Sequence, residues 1–230
     1  MTNPHTPIQV CTALPPQPLA PCKYRFPDAS RGPRDQPVAM GGDFEPETIV
    51  AAYRHGIFPW PNDYEELCWF SPDPRAILPV GALHVSRRLA RVIRQGRFRV
   101  TLDGAFGRVI EACAARSATW ITPRLIDGYL RLHQLGWAHS FEVWMGEDEL
   151  AGGLYGVGVG TMFGAESMFH TVSDASKVAM AAMMQHAEDA GWTLVDVQVL
   201  TEHTKSMGAV EIRRAEYLRR LAAAVGPFAP

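Results

Sequence analysis

The residues best suited to chemistry in this sequence are an acid and an amide, Asp196 and Gln198, in the segment LVDVQVL. Val195, Val197 and Val199 alternate with them, and this period of two predicts a β-strand inside a sheet. Side chains two residues apart on a strand share one face, about 6 to 7 Å from each other. Burying a carboxylate and an amide is costly unless partners satisfy them. The pair is therefore the first candidate for a catalytic site.

A second candidate is Glu166, in the segment TMFGAESMF. The segment also has the pattern of a strand, on which Met162, Gly164, Glu166 and Met168 are predicted to share one face. A strand glutamate by itself is more often an edge residue that faces water. An acid and an amide on a neighbouring strand instead favour one common pocket for Glu166 and Asp196. Their location on opposite sides of the sheet would contradict this hypothesis.

A cluster of cations comes earlier in the chain. Five arginines without an intervening acid lie within eleven residues: Arg87, Arg88, Arg91, Arg94 and Arg97. On a helix their spacing forms one basic stripe, with Leu89, Val92 and Ile93 turned toward the core. Such a run is usually a solvated surface. In a chain of net charge −2 the local excess of cations equally favours an anionic partner, most commonly a phosphate backbone.

Aromatic residues and glycines stand at unusual places. Trp60, Trp69 and Trp120 lie in predicted loops, where they either fill the core or stack on bases and apolar side chains. The segment GGLYGVGVG places five glycines in predicted strands. This pattern indicates either the close approach of a ligand or another backbone, or a twisted and bulged hairpin. It is not a phosphate-binding loop, because it lacks the GK[ST] ending.

The composition indicates a folded globular protein, with 47% hydrophobic and 10% aromatic residues in 230. No segment approaches the ~20 apolar residues of a membrane span. The first residues lack the basic start and apolar core of a signal peptide, so we expect a cytoplasmic protein. The four cysteines are scattered, which predicts neither disulfides nor a zinc site.

The elements that must position these residues follow from periodicity and capping signals. Residues 1–23 are predicted to be a Pro-rich flexible extension, and residues 24–80 a small loop-rich N-terminal α/β domain with one helix at 46–55. Residues 81–230 are predicted to form a sheet-and-helix domain. Its helices are expected at 86–95, from Asp103 as the cap to 114, and at 123–136, 174–190, 202–207 and 215–224; its strands at 98–102, 139–144, 149–157, 160–169 and 194–200. The fold class is therefore α+β, and the order of elements resembles the acetyltransferase-like arrangement, in which neighbouring strands splay apart to admit an acyl donor.

The same segments resemble the leucyl/phenylalanyl-tRNA–protein transferases of bacteria. The resemblance extends from about residue 24 to residue 221. The matching blocks are collinear: MGGDFEPETIVAAYRHGIFPW, WFSPDPRAILP, LHVSRRL, TWITPRLIDGYLRLHQLGWAHSFEVW, GGLYGV, ESMF, DASK and DVQVLTEHTKSMGAVEI.

The resemblance implies an activity and a fold. The family transfers leucine, phenylalanine or sometimes methionine from aminoacyl-tRNA to proteins that begin with arginine or lysine, and the product carries an N-terminal degradation signal of the N-end rule pathway. Its members have a small N-terminal domain and an acetyltransferase-like domain. Because the aminoacyl ester is already activated, no metal or cofactor is expected. We expect a monomer by default, since no oligomer contact is visible in the sequence.

The resemblance also implies roles for individual residues. Asp196 and Gln198 match the central polar pair of the family, and Glu166 matches its pocket acid. Trp60 and Trp120 match aromatic residues that hold the aminoacyl-adenosine. Leu154, Phe163 and Met168 are expected to bind substrate, the first two as the pocket for the transferred side chain. The arginine helix matches the region that grips the tRNA acceptor stem.

The sequence departs from the family pattern beside this pocket. The family usually shows FFGES where this chain has FGAES, so that Gly164 and Ala165 replace a phenylalanine and a glycine. Loss of a phenylalanine is expected to widen the pocket and to shift the preference among leucine, phenylalanine and methionine. The polar residues are not affected by this departure.

Two mechanisms are consistent with these residues. In the first, Gln198 positions the attacking amine, Asp196 polarises that contact or takes the proton, and Glu166 fixes the donor's α-amino group or helps to recognise the basic acceptor. In the second, the ribose 2′-hydroxyl relays the proton and Asp196 is structural. A rival class, the acetyl-CoA-dependent N-acetyltransferases, needs a glycine-rich turn for pyrophosphate, and HTVSDASK has no glycine. A non-catalytic tRNA-binding module explains the arginines but not the polar pair.

Overall fold

Two β-sheets organise the chain in its computed structural model, which describes residues 5–11, 14–60, 66–115 and 119–226. The strands are β1 (Ile8–Val10), β2 (Ala39–Met40), β3 (Phe58–Pro59), β4 (Cys68–Phe70), β5 (Arg75–Ile77), β6 (Arg99–Leu102), β7 (Ala138–Met145), β8 (Glu149–Val159), β9 (Met162–His170), β10 (Leu194–Gln198) and β11 (Val210–Ile212). The helices are α1 (Pro46–Arg54), α2 (Arg87–Arg94), α3 (Phe106–Ala114), α4 (Pro123–Gln134), α5 (Ala175–Asp189), α6 (Glu202–Ser206) and α7 (Arg214–Val225), with a short 3₁₀ helix at Ala29–Arg31.

The large sheet is mixed and has the strand order β1-β6-β7-β8-β9-β10-β5-β11, whereas β2, β4 and β3 form a small sheet of three strands. Strands β6 to β9 are antiparallel, as the predicted hairpin requires, and β9 and β10 run parallel. Helices accompany the large sheet, so the predicted α+β class is confirmed. Among the described residues, no helix combines the length and the apolar character needed to cross a membrane.

Helices cover both faces of the large sheet and create two cores. On one face, here called the α5 face, α5 packs with side chains such as Phe141, Phe163 and Val195. On the other, here called the α4 face, α1, α3, α4 and α7 pack with side chains such as Tyr155 and Leu194. Each face buries its own apolar set, which explains why β10 is apolar throughout except at its two polar residues.

Three sequence-based expectations about the elements were wrong. Residues 8–10 are not an unstructured extension, because β1 pairs in parallel with β6 at the edge of the large sheet. The segment after residue 57, predicted to be loops, contains β3, β4 and β5. Strand β5 pairs with β10 and β11 inside the large sheet, so residues 75–77 of the predicted N-terminal domain belong to that sheet. These strands have only two or three residues, too few to show a period.

Asp103 does not cap the following helix. It has a left-handed backbone, with φ of 61°, and its carboxylate contacts the His139 Nδ1 atom at 2.7 Å and accepts from the Ser140 N–H at 2.9 Å. Helix α3 therefore begins only at Phe106. The carboxylate of the buried Glu142 of β7 accepts hydrogen bonds from the N–H groups of Gly104 and Ala105. A side chain distant in sequence thus binds the backbone just before α3, and the N-cap residue Ala105 forms no side-chain cap.

Gly156 and a bulge opposite it shape the β8–β9 pair. A Cβ at Gly156 would overlap the carbonyl oxygen of Gly164, so here the glycine permits the close approach of another backbone. In the next pair, Tyr155 faces Ser167 while Gly156 faces Ala165, which makes Glu166 the extra residue of a β-bulge. The bulge reverses the alternation after Glu166. Met168 therefore packs with the core of the α5 face, and the prediction that it shares a face with Glu166 was wrong.

Candidate active site

A cleft of about 820 Å³ lies where β9 and β10 separate. The two strands pair only as far as Gly164 and Asp196, after which their backbones no longer pair with each other. Side chains from both faces of the sheet therefore line the cleft: Glu166 and Phe169 from the α4 face, Leu154 and Val197 from the α5 face. The gap between these two parallel strands therefore forms the candidate site.

The walls of the cleft are aromatic and apolar. Trp60 and Trp120 line it, as do Leu154 and Met168. The Trp60 side chain is 36% exposed although its ring lies 5.7 Å from that of Phe58, centroid to centroid. An indole anchored at one edge and open at the other has a free surface on which a flat group can stack. The structure thus brings four of the five predicted substrate-binding residues to one cleft.

Phe163 is the exception, because it is not among the residues that line this cleft. It is fully buried on the α5 face, where its ring stacks on Trp192 at a centroid distance of 4.6 Å. Gly164, a departure from the family pattern, does not line the cleft either. It packs against Tyr53, and a Cβ there would lie 2.7 Å from the tyrosine ring. Ala165 is the departure that reaches the cleft.

Glu166 is held by two tyrosines and an amide. Its Oε1 atom accepts hydrogen bonds from the Tyr53 hydroxyl and, at 2.9 Å, from the Gln198 Nε2 atom, and its Oε2 atom accepts from the Tyr129 hydroxyl at 3.1 Å. Burial raises the pKa of Glu166 to about 7, although the hydrogen bonds from the tyrosines act in the opposite direction. Glu166 and Gln198 are thus brought together on the α4 face, and Glu166 titrates close to neutrality.

Asp196 is buried and forms a second network with Arg75. The Arg75 Nε and Nη2 atoms donate to the two Asp196 oxygens at 2.9 and 2.6 Å, and Tyr217 donates its hydroxyl proton to Oδ2 at 2.8 Å. Arg75 is fully buried between the rings of Phe58 and Tyr217. Burial would lower the pKa of Arg75, but the Asp196 carboxylate outweighs it and raises that pKa above its usual value. Asp196 does not line the cleft, although it lies on the same face as Glu166.

Gln198 connects the two networks. Its backbone N–H donates to Asp196 Oδ1 at 2.8 Å, while its side chain binds Glu166. Its φ angle is 65°, a left-handed conformation that is costly for a residue with a Cβ and that persists only where its surroundings impose it. Gln198 lines the cleft, and its amide oxygen accepts no hydrogen bond from the described part of the chain.

The sequence analysis missed the partners of these acids. Arg75, Tyr53, Tyr129 and Tyr217 each lie fully buried beside Glu166 or Asp196. The available signal was Arg75 itself, a cation inside the otherwise apolar segment PRAIL. Because a buried carboxylate needs a partner, a search for a cation flanked by apolar residues would have selected it.

The arginine helix α2 packs against α5, on the α5 face of the large sheet. Helix α2 begins after its cap Ser86 and ends at Arg94, so Arg97 lies beyond the helix and the stripe contains four arginines and not five. All five arginines are exposed. Arg88 binds Asp174, the residue before α5, at 3.0 Å. This contact joins the basic helix to the first turn of α5, which borders the cleft through Ser176.

Replacement of Glu166 by glutamine is expected to change how stability depends on pH. With a folded pKa of about 7 against 4.5 unfolded, the folded protein binds more protons between these values, so its free energy of unfolding falls as pH rises through this range. The Glu166→Gln variant lacks this loss, which corresponds to roughly 3 kcal/mol. Urea unfolding of both proteins from pH 4.5 to 8 measures it.

A suitable control is Glu216→Gln. Glu216 is paired with Arg220 and Arg219, which lower its pKa, so its replacement gives no such gain at high pH. If the difference in the free energy of unfolding between wild type and Glu166→Gln stays constant with pH, the Glu166 carboxylate keeps its ordinary pKa.

Polar groups held rigidly at the floor of an apolar cleft are typical of an enzyme active site. Residues 77–222 match the family described as leucyl/phenylalanyl-tRNA protein transferase, and residues 42–73 match the N-terminal domain of that family. The chain belongs to the leucyl/phenylalanyl-tRNA protein transferase family and is therefore an aminoacyltransferase.

Individual relatives agree with this assignment. The leucyl/phenylalanyl-tRNA–protein transferase of Anaeromyxobacter sp. (strain K) is 52% identical over 205 residues, which cover 87% of this chain and 88% of the relative. That of Proteus mirabilis (strain HI4320) is 51% identical over 185 residues, 80% of each chain. Among solved structures, that of L-PGS from Bacillus licheniformis is similar over 66% of this chain and 49% of that one, with 12% identity and a TM-score of 0.36.

Proposed function

We propose that this protein transfers leucine or phenylalanine, and also methionine, from aminoacyl-tRNA to the N-terminal arginine or lysine of acceptor proteins. Transfer of leucine or phenylalanine to a protein follows from membership of the family. The choice of acceptor residue and the degradation signal that results are the finer parts of the proposal. The observation that carries it is the Gln198 side chain, which lines an apolar cleft, donates a hydrogen bond to Glu166 and has an amide oxygen that accepts no hydrogen bond within the described residues.

The cleft has the chemical character that an aminoacyl-adenosine requires. We assign Trp60 and Trp120 to the adenine base, since indole rings at the cleft wall offer a surface for stacking. We assign Leu154 and Met168 to the transferred side chain, which is apolar in each of the three amino acids. Ala165, which lies at the cleft where the family usually has glycine, is expected to tune the preference among them.

The reaction forms one bond and breaks another. The nitrogen of the acceptor's N-terminal amine bonds to the ester carbonyl carbon, and the bond from that carbon to the ribose oxygen breaks. The electron pair stays on the ribose oxygen, which ends with the proton that the amine loses. Gln198 Oε1 accepts a hydrogen bond from the amine and aligns its lone pair with the carbonyl, so positioning supplies much of the acceleration.

Asp196 is better suited to positioning than to proton transfer. Both of its oxygens are occupied by Arg75, Gln198 and Tyr217, and it does not reach the cleft. We therefore favour the route in which the ribose 2′-hydroxyl relays the proton and Asp196 holds the Gln198 backbone. Glu166 then orients the Gln198 amide and places a carboxylate near the amines of donor and acceptor.

The remaining expectations become parts of the same proposal. The separation of β9 from β10 supports the acetyltransferase-like arrangement. We assign the chemistry to the part of the chain that carries the large sheet, with Trp60 supplied by the N-terminal part, and the tRNA acceptor stem to the arginines of α2 and to Arg97. The described lining of the cleft comes from one chain, which supports a monomer, and a tRNA substrate supports a cytoplasmic location.

Transfer of radiolabelled amino acids tests the proposal. Leucyl-, phenylalanyl- and methionyl-tRNA are each incubated with three peptides that are identical except for a first residue of arginine, lysine or methionine. We expect label on the first two peptides only. Label on all three would refute the acceptor specificity. Label on none, together with acetylation of a peptide by acetyl-CoA, would replace the proposal with the N-acetyltransferase alternative.

A further inference from the structure

Three side chains that can carry positive charge lie near the first turn of α5, and two of them line the cleft. His170 ends β9, Lys177 lies in the first turn of α5, and His203 lies in α6. His170 and His203 line the cleft. Burial lowers the pKa of His203, and the two charged neighbours that lower it further are Lys177 and His170. Segments far apart in sequence thus place two imidazoles and one amine close together.

These groups lack a negative partner within the described residues. The His203 Nε2 atom is buried, yet it has no hydrogen-bond partner there. Lys177 is half-buried and forms no ion pair with a described carboxylate. Asp174, the acid before α5, is bound by Arg88. Because buried polar groups in folded proteins are nearly always paired, an unpaired one beside a cleft marks the place of a missing ligand.

The start of α5 adds to the same positive field. This helix has 15 residues, no acid in its first turn and no side-chain cap, since the Asp174 carboxylate points to Arg88. Ser176 in the first turn is buried, lines the cleft and lies 3.3 Å from His170 Nδ1 through its hydroxyl oxygen. A helix N-terminus favours anions through its free N–H groups and its dipole.

We propose that His170, Lys177 and His203 bind the phosphate that joins the terminal nucleoside of the donor to the nucleotide before it. The inference rests on the proposed function, because it deepens the account of the donor site. Phosphate supplies the negative charge and the acceptor oxygens that these groups lack. The location agrees with the path of a nucleic acid, since Arg88 links the basic helix α2 to the first turn of α5.

Two minimal donors isolate the contribution of this phosphate. One is 3′-O-phenylalanyl-adenosine, and the other is the same molecule with a 5′-phosphate; the acceptor is an arginine-started peptide. We expect the phosphate to raise kcat/KM of the wild-type protein at least tenfold, the effect of about one charge-assisted hydrogen bond. The ratio of kcat/KM with the phosphorylated donor to kcat/KM with the unphosphorylated donor is expected to fall toward one in Lys177→Ala and in His203→Ala. Lys205→Ala, an exposed lysine of α6, is expected to keep it.

Other outcomes would overturn the inference. Equal use of both donors by the wild-type protein would refute the phosphate site and leave the proposed function intact. If the two variants lose activity equally with both donors, so that the ratio of the two kcat/KM values stays at the wild-type value, the cluster only supports the fold. With full charged tRNA, the same two variants are expected to raise KM about tenfold and to change kcat less than twofold; an unchanged KM would also refute the site. Absence of transfer from charged tRNA by the wild-type protein would refute the proposed function itself.

Discussion

Replacement of Asp196 by asparagine is expected to reduce the free energy of unfolding by about 3 to 5 kcal/mol, because it leaves the buried guanidinium of Arg75 without its counter-charge. Both residues are essentially inaccessible to solvent, at 1% and 0% side-chain exposure, so water cannot replace the lost partner. The asparagine amide would in addition point a donor at the Arg75 Nη2 and Tyr217 hydroxyl groups, which both donate to Asp196 Oδ2. Urea unfolding at pH 7 measures the loss.

An exposed ion pair provides the control. Arg131 and Glu45 are 2.8 Å apart at 45% and 40% side-chain exposure, and Glu45→Gln is expected to cost less than about 1 kcal/mol. Equal losses in the free energy of unfolding for Asp196→Asn and Glu45→Gln would contradict the view that burial makes the Arg75–Asp196 pair important for stability.

A double variant separates positioning by Asp196 from proton transfer. Arg75→Met with Asp196→Asn removes both charges, while the asparagine oxygen still accepts the Gln198 backbone N–H. We expect the double variant to recover at least half of the lost stability and, with it, most of the transfer activity. A stable double variant that remains about 100-fold slower in kcat would show instead that the carboxylate takes part in proton transfer.

Replacement of Gln198 by glycine is expected to lower kcat by about 100- to 1,000-fold without loss of stability. The variant removes the group that we assign to aligning the attacking amine, and losses of this size are typical for one preorganised polar group. Glycine is chosen because the φ angle of 65° is strained for glutamine and free of strain for glycine. The backbone N–H bond to Asp196 is kept. Steady-state transfer kinetics and thermal unfolding of the same sample measure both effects.

Gln198→Asn is the matched comparison. Asparagine tolerates the left-handed conformation and keeps the amide, but its side chain is one methylene shorter and does not reach both Glu166 and the amine. A similar loss of kcat in both variants is the expected result. Wild-type kcat in the glycine variant would refute the assignment of Gln198, whereas an increase in KM for charged tRNA alone would assign it to donor binding.

Much of the local structure is determined by short-range signals in the sequence. Pro46 begins α1, Thr122 caps α4 by accepting the Leu125 N–H, and glycines with positive φ follow several helices, because caps act within one turn. The β7–β8 hairpin and the central strand β10 were likewise predicted, since alternation is a local property. The same reasoning identified Asp196, Gln198 and Glu166, because an acid or amide in an apolar strand is conspicuous at any position.

Other features depend on contacts between distant parts of the chain. Arg75 meets Asp196 across 121 residues of sequence, and only the pairing of β5 with β10 brings them together. The bulge at Glu166 depends on the register between β8 and β9, which no pattern within β9 contains. That single extra residue reverses the alternation after Glu166, so that Met168 packs in the opposite core while Glu166 stays beside Tyr53.

The division between the two kinds of information has a physical reason. Residue types and spacing determine which side chains are costly to bury and which segments are helices or strands, because these depend on neighbours within a few positions. Which partners offset that cost depends on strand register and chain path, which only the packed structure selects. The sequence therefore predicted that Asp196, Gln198 and Glu166 need partners, and the tertiary structure supplied Arg75, Tyr53, Tyr129 and Tyr217 and placed Gln198 at the cleft.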